Sequence, residues 1–384
     1  MQFKDIIGND SIKQMLISSV KEGRIAHAQL FLGDSGYGSL ALALAYAQYI
    51  SCRNRSENDS CGVCSSCYKY SNLQHPDLHF IFPTNKSPLS IGYNSAGDVV
   101  SDNFMHIWRD LFTERGGYIS PQEWYNAIEL SKNSQAIIAK SEAANLIESF
   151  SYKSIEGGYN IVIIWMAELM NESCANALLK LFEEPQKGQI FLFVAHNEAK
   201  MLKTILSRVQ TINIRPIEQT TLANHLSSSC DISIADAQSY ARLSEGNLIT
   251  AKTLSSQQEE LSPYFDQFVA LMRLCFKEDY LALLPWAEKM NEMSKPQIKE
   301  FLTYSLKLLR DAYSINIGVN EIGFIFEKES KFLHNFAPYV HDQNIEKLIE
   351  EFQKCNTHLT QNVNTKITLS HFTLAISKLI KLPK

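Results

Sequence analysis

The stretch Ala28-Gln29-Leu30-Phe31-Leu32-Gly33-Asp34-Ser35-Gly36-Tyr37-Gly38-Ser39-Leu40 changes character twice within a few residues. Ala28–Leu32 reads as a short buried strand, Gly33–Gly38 as a glycine-rich turn, and the alanine-rich run from Ser39 to Ile50 as a helix. Strand, glycine turn and helix in that order form the layout of a phosphate-binding loop. Its backbone amides and the helix N-terminus cradle phosphate oxygens. The complete motif closes on Gly-Lys-Ser/Thr, with the lysine on the β- and γ-phosphates and the hydroxyl on Mg²⁺. Here Gly38 is followed by Ser39 and Leu40, so the charge and the metal-binding hydroxyl are both missing. Gly33, Gly36, Gly38 and Ser39 are the candidate nucleotide-binding residues of a degenerate loop, which is expected to be silent.

Outward from this loop, strand-like and helix-like segments alternate. Leu78–Phe82, Asn160–Trp165, Ile190–Ala195 and Thr211–Ile214 read as further strands, and Asn9 and Asp10 can cap a helix starting near Ser11. Ala175, Leu178, Leu179 and Phe182 recur at helical spacing, and that helix must stop by Pro185. Nearly continuous apolar strands separated by helices predict an α/β fold with a parallel sheet covered on both faces. In a working phosphate-loop ATPase, the strand corresponding to Asn160–Trp165 ends in two acids that hold Mg²⁺ and polarise water. Those positions carry Trp165 and Met166, and Glu168 just beyond reads as a solvated residue. Gly33-Asp34-Ser35-Gly36 also matches the tetrapeptide around the nucleophile of trypsin-like proteases. Those are disulfide-bonded β-barrels, and a triad is recognised by geometry rather than by four residues.

Four of the eight cysteines crowd into Cys52-x8-Cys61-x2-Cys64-x2-Cys67. Four thiolates satisfy tetrahedral zinc and leave no open position, so Cys52, Cys61, Cys64 and Cys67 are candidate ligands of a structural Zn²⁺. His75 and His79, in His75-Pro76-Asp77-Leu78-His79, read as packed loop residues rather than ligands. Residues 84 to about 120, rich in Gly, Ser and Asn, read as an insertion between strands, partly loop. Ser207-Arg208 precedes the Thr211–Ile214 strand. An arginine there is ordinarily a surface charge, but a guanidinium supplied in trans can stabilise a transferring γ-phosphate.

Beyond Ile217 strand signals fade. Thr220–Ser227, Ser233–Leu243, Tyr264–Phe276, Lys295–Tyr313, Asn344–Lys354 and Ser370–Ile380 carry helical patterns. Leu302, Leu306 and Leu309 form an apolar stripe that serves either an oligomer interface or an internal core. The 384 residues suggest two or three domains. With 36 basic and 41 acidic residues the net charge is −5, so any nucleic-acid contact must be local or shared with a partner. No apolar run approaches a membrane span, and Met1–Asp10 has no signal core, so a cytoplasmic protein is expected.

In series, these residues resemble the AAA+ clamp-loader family of bacterial DNA polymerase III. The resemblance runs through Phe3-Lys4-Asp5-Ile6-Ile7-Gly8-Asn9, Arg24-Ile25-Ala26-His27-Ala28, the glycine loop, the cysteine module and His75-Pro76-Asp77-Leu78. It continues through Glu156-Gly157-Gly158-Tyr159, Asn176-Ala177-Leu178-Leu179-Lys180, Phe182-Glu183-Glu184-Pro185 and Ser207-Arg208. The family's arginine-finger motif is Ser-Arg-Cys; here Val209 takes the third place, and Ile249 stands where a later sensor arginine is found.

The resemblance implies an AAA+ phosphate-loop domain at 1–214 with a zinc module at 52–67, a helical lid domain at 215–256 and an all-helical collar for oligomerisation at 257–384. It implies a non-hydrolysing stator that binds ATP weakly or not at all and has no ATPase activity of its own. The stator works within the DNA-directed DNA polymerase III holoenzyme, a nucleotidyltransferase. Arg208, with Ser207, would complete the ATP site of a neighbouring motor subunit. The implied partners are the gamma/tau motor subunits and the delta subunit in a hetero-oligomer and, through that complex, the sliding clamp and primer-template DNA. One alternative is a zinc protein that binds nucleic acid directly, which predicts a basic face around the cysteines. The other is an ATP-hydrolysing motor subunit, which predicts Lys and Thr at 39 and 40 and acids at 165 and 166.

Overall fold

The computed structural model describes residues 1–87, 89–92, 98–130, 135–318, 327–361 and 363–383. The chain divides into two compact units: Met1–Ser229 with Ser244–Ala251, and Cys230–Leu243 with Lys252–Lys384.

The first unit is built on β1 (Ala28–Leu32), β2 (Leu78–Ile81), β3 (Asn160–Trp165), β4 (Gln189–Ala195) and β5 (Gln210–Asn213). They form one parallel five-stranded sheet in the order β2-β3-β4-β1-β5. Its helices are α1 (Asp10–Lys21), α2 (Ser39–Ser51), α3 (Ser65–Ser71), α4 (Met105–Arg115), α5 (Pro121–Ala127), α6 (Lys140–Ser151), α7 (Glu172–Glu183), α8 (Lys203–Leu206) and α9 (Gln219–Cys230). Every residue of β3 and β4 is buried, because crossover helices cover both faces of such a sheet. Alternate strand residues point to opposite faces. Leu30, Val162, Ile164, Phe191 and Phe193 meet Leu146 and Phe150 of α6 and Leu178 and Phe182 of α7. Their neighbours face α2, where Gln29 Nε2 donates to the Tyr46 hydroxyl at 3.2 Å and the Phe31 and Tyr46 rings lie 6.3 Å apart. The expected α/β class and parallel sheet are present.

One local expectation needs correction. Asn9 does not cap α1 through its side chain. Its backbone is left-handed, φ 57°, and its amide donates instead to the Tyr37 carbonyl at 3.2 Å. A capping side chain needs an extended backbone from which its oxygen can reach the first-turn amides.

Of the stretch 84–120, Pro88 and residues 93–97 lie outside the described residues; the rest is partly loop, as expected, and partly helical. It contains a 3-10 turn at Ser101–Phe104 and then α4. Trp108 and Phe112 are buried, and the Trp108 ring lies 4.6 Å from Phe82, 5.4 Å from Trp124 and 5.1 Å from Trp165. Helix α5 starts on a capping box, Ser120 with Glu123, and Pro121 follows the cap. Trp124 Nε1 donates to the Pro83 carbonyl at 2.8 Å. The insertion is thus fastened to the sheet by tryptophans. Its polar composition masked them, because a few large aromatics bury more area than many small polar residues remove.

The second unit is helical, with no strand among its described residues. It comprises α10 (Ile234–Leu243), most of α11 (Leu248–Lys277), α12 (Tyr280–Asn291), α13 (Lys295–Asn316), α14 (Glu327–Phe336), α15 (Ile345–Thr360) and α16 (Thr365–Leu379). Helices α12 and α14 were not legible in the sequence, and α11 continues as one helix past residue 256. Leu302 and Leu309 are fully buried in this unit's own core and Leu306 packs against it, so the stripe is an internal core face rather than a docking face. No helix among the described residues is long and apolar enough to cross a membrane.

Candidate functional site

The glycine loop joins β1 to α2 at the carboxyl end of the sheet. Gly33 N–H donates to the Ala195 carbonyl at 3.0 Å, which ties the loop to β4. A Cβ on Gly33 would lie 2.8 Å from the Ile214 carbonyl oxygen, and Gly38 sits at φ +90°, so both positions require glycine. The loop is filled by the chain itself. Asp34 Oδ1 accepts the Gly36 N–H at 3.2 Å and the Asn247 side-chain amide at 2.7 Å. Asn247 lies so close over Gly36 that a Cβ there would be 1.8 Å from its oxygen. A carboxylate therefore sits on a loop amide, and its charge opposes any approaching anion. Ser39 is buried and its hydroxyl donates inward to the Gly33 carbonyl at 3.3 Å; Leu40 is buried beside it. Tyr118, from the end of the insertion, closes over Gly38 and accepts the Ile7 N–H at 3.1 Å. Burial pushes its hydroxyl up to about 12.

At the end of β3, Trp165 is buried among Trp108 and Trp124, and Met166 takes a left-handed turn at φ 54°. Glu168 is not solvated as expected: its side chain is only 7% exposed. Its Oε1 accepts the His196 N–H at 3.1 Å and lies 3.2 Å from His196 Nδ1. The fold turns this acid onto the end of β4 rather than outward.

The four cysteines come together. One ligand atom from each of Cys52, Cys61, Cys64 and Cys67 lies within 4.8 Å of every other. Sγ of Cys61 is 3.6 Å from that of Cys52 and 3.9 Å from that of Cys67. Tetrahedral zinc with bonds of about 2.3 Å requires sulfurs about 3.8 Å apart, so the donor set fits the ion. Amides of Cys61, Cys64 and Cys67 point at the sulfurs of Cys52, Cys61 and Cys64 at 3.3, 3.4 and 3.5 Å, the outer hydrogen bonds that hold thiolates. Burial pushes the Cys52 and Cys67 thiols up. At Cys64 burial acts the same way but is outweighed by the Cys67 and Arg53 amides, which bring that thiol to about 6.

His75 and His79 stand outside the cluster. His75 Nδ1 accepts the Asp77 N–H at 3.2 Å and its ring packs 4.7 Å from Tyr70, while His79 meets Phe150. Burial lowers the basicity of both. Asp77 does the fastening: it accepts the Ser154 hydroxyl at 2.9 Å and the amides of Ile155 and Glu156 at 2.7 and 3.0 Å. Glu156 in turn pairs with Arg53, next to the first cysteine, and Lys69, just after the last.

Ser207 and Arg208 follow α8. Arg208 donates to Glu183 Oε1 from Nε at 3.0 Å and from Nη2 at 2.6 Å. Its Nη1 donates to the Thr204 carbonyl and the Ser207 hydroxyl, each at 2.9 Å. Ser207 thus braces the arginine. Sequence reasoning singled out neither Asp34, Asn247 and His196 nor Glu183 as functional. Each acts through a partner distant in the chain, which no local spacing announces.

Residues 8–218 match the family model described as DNA polymerase III, delta subunit. The delta' subunit of DNA polymerase III from Bacillus subtilis is 23% identical over 369 residues, covering 96% of this chain and 95% of that protein. The delta' subunit from Pseudomonas aeruginosa is 25% identical over 289 residues, 74% of this chain and 72% of that one. The tau/gamma subunit from Haemophilus influenzae is 23% identical over 224 residues, 58% of this chain but only 25% of that protein.

Proposed function

This chain belongs to the DNA polymerase III delta-prime subunit family of clamp loaders, and from that premise we propose that it is a non-hydrolysing stator. Its arginine finger, Arg208, would complete the ATP site of a neighbouring motor subunit while the sliding clamp is loaded on primed DNA. The observation that carries this reading is the filled glycine loop together with, elsewhere in the chain, a braced, part-exposed arginine. Asp34 and Asn247 cover the loop, Ser39 turns inward, and the acidic positions hold Trp165 and Met166. Own-site phosphoryl transfer would lack the lysine, the metal hydroxyl and the acids it requires. Arg208 needs none of these, because a guanidinium acts on charge that develops in someone else's substrate.

In this reading residues 1–214 are the AAA+ domain, 215–256 the lid and 257–384 the collar, with gamma/tau and delta subunits as neighbours. Zn²⁺ would be held by Cys52, Cys61, Cys64 and Cys67 and would act only as a cross-link. Direct nucleic-acid binding by the zinc module is disfavoured, since Arg53 and Lys69 are both engaged by Glu156.

The test is the DNA- and clamp-stimulated ATPase of the motor subunits without this chain, with it, and with its Arg208→Ala variant. A rise with the intact chain that the variant fails to give supports the stator. An equal rise with both makes the chain scaffold only. No complex and no change in rate would refute the loader role.

A further inference from the structure

A guanidinium that must meet a phosphate on another subunit has to be held in place beforehand. A free arginine side chain loses much rotamer freedom on docking. Arg208 is not free. Four of its five N–H groups are engaged, two by Glu183, one by Thr204 and one by Ser207, which leaves one on Nη2.

Glu183 is itself placed by the fold. It is the last residue of α7, and the preceding carbonyl, that of Phe182, lies 3.1 Å from His27 Nε2. The His27 carbonyl in turn accepts the Phe191 N–H of β4 at 2.7 Å. The end of α7 is therefore pinned to the sheet, with Pro185 preventing further winding. The Arg208 and Glu183 side chains are 34% and 47% exposed, and such pairs contribute little to folding stability. A large gain in fold stability therefore does not account for the pair.

We propose that Glu183 is the positioning residue for Arg208: it fixes the guanidinium through Nε and Nη2 so that the remaining Nη2 N–H faces the neighbouring subunit's phosphate. This rests on the reading of Arg208 as a finger in trans. Glu183 does not touch the nucleotide and acts only through the arginine.

The experiment compares four versions of this chain in the assembled loader: parent, Glu183→Gln, Arg208→Ala and the double variant. It reads kcat and KM for ATP together with assembly by size-exclusion chromatography. Glutamine keeps the size and an acceptor oxygen but loses the charge. The expected result is a fall in kcat for Glu183→Gln, with KM and assembly unchanged and the double variant no slower than Arg208→Ala. Displacing a reacting group by an ångström can cost about a hundredfold, which bounds the fall.

A normal kcat for Glu183→Gln beside a slow Arg208→Ala would overturn the positioning role and leave the finger standing. A faster Glu183→Gln would show that the carboxylate restrains the arginine rather than presents it. A further loss in the double variant, or a loss of assembly, would place the effect of Glu183 elsewhere. An unchanged Arg208→Ala would remove the finger and the positioning role together.

Discussion

In the function proposed above, Trp165 stands where a hydrolysing relative would need an acid, and its surroundings do not suit one. Trp108 and Trp124 lie 5.1 and 6.4 Å from its ring, and all three are fully buried. Trp165→Asp should therefore not restore ATP hydrolysis. It should lower unfolding free energy by about 3–5 kcal/mol for the lost ring alone, and by more for a carboxylate among aromatics. Urea unfolding followed by circular dichroism checks this, and a variant of parental stability would contradict it. Asp34 makes the same point at the glycine loop. One short acid, bound to Gly36 and Asn247, supplies from within the negative charge that a nucleotide would bring.

Among the elements, the cysteine module ties together two segments distant in the chain. Asp59, between Cys52 and Cys61, accepts the Phe3 and Lys4 amides, each at 3.0 Å. Through Arg53 and Lys69 the module also grips Glu156, in the segment that Asp77 fastens. Removing zinc should then loosen two sequence-distant segments together. Amide hydrogen exchange at Phe3, Lys4, Ile155 and Glu156 should speed up after chelation or in Cys64→Ser, while that of buried β4 stays slow. Unchanged exchange at both segments would show that the module stands without its metal. The insertion shows the same economy on the other side of β2: α4 and α5 are short, yet between them they place two tryptophans against the sheet.

At the scale of the molecule, stability should depend on pH through a buried acid in the first unit. Glu142, in the first turn of α6, faces the insertion, where its Oε1 accepts the Ser101 N–H and hydroxyl at 2.6 and 2.8 Å. Burial raises its carboxyl from the ordinary 4.5 to about 8. The folded state therefore binds a proton that the unfolded chain has already released across that window. The sign follows from linkage: stability contributed by the protonated form is complete below pH 4.5 and declines as pH rises towards 8. Glu142→Gln should flatten that decline in thermal unfolding curves taken from pH 5 to 8. A slope equal to the parent's would show that other groups set it. The second unit, whose core runs from Tyr264 to Ile380, has its own apolar interior and should melt largely independently of this titration.

The sequence by itself determined the class of fold and the composition of the site. Buried strands such as β3 and β4 need an unbroken apolar run, and a loop that passes close to other backbone needs its glycines. Both are local demands that residue types reveal directly. The cysteine spacing is local in the same sense, since two-residue spacers bring sulfurs round one point. Helix α14 escaped because its apolar residues are few, and α12 because its apolar residues run nearly all round it and Pro285 interrupts it, so neither shows a clean helical stripe. Only the tertiary structure decided what the site's residues do to one another. It placed Asp34 under Asn247, turned Glu168 from solvent to His196, committed Leu302 and Leu309 to an internal core, and set Glu183 on Arg208. The pairings join residues 25 to 213 positions apart, and the leucines are buried where helical spacing alone leaves them unassigned. Their energies come from proximity and burial, which exist only after the chain has folded.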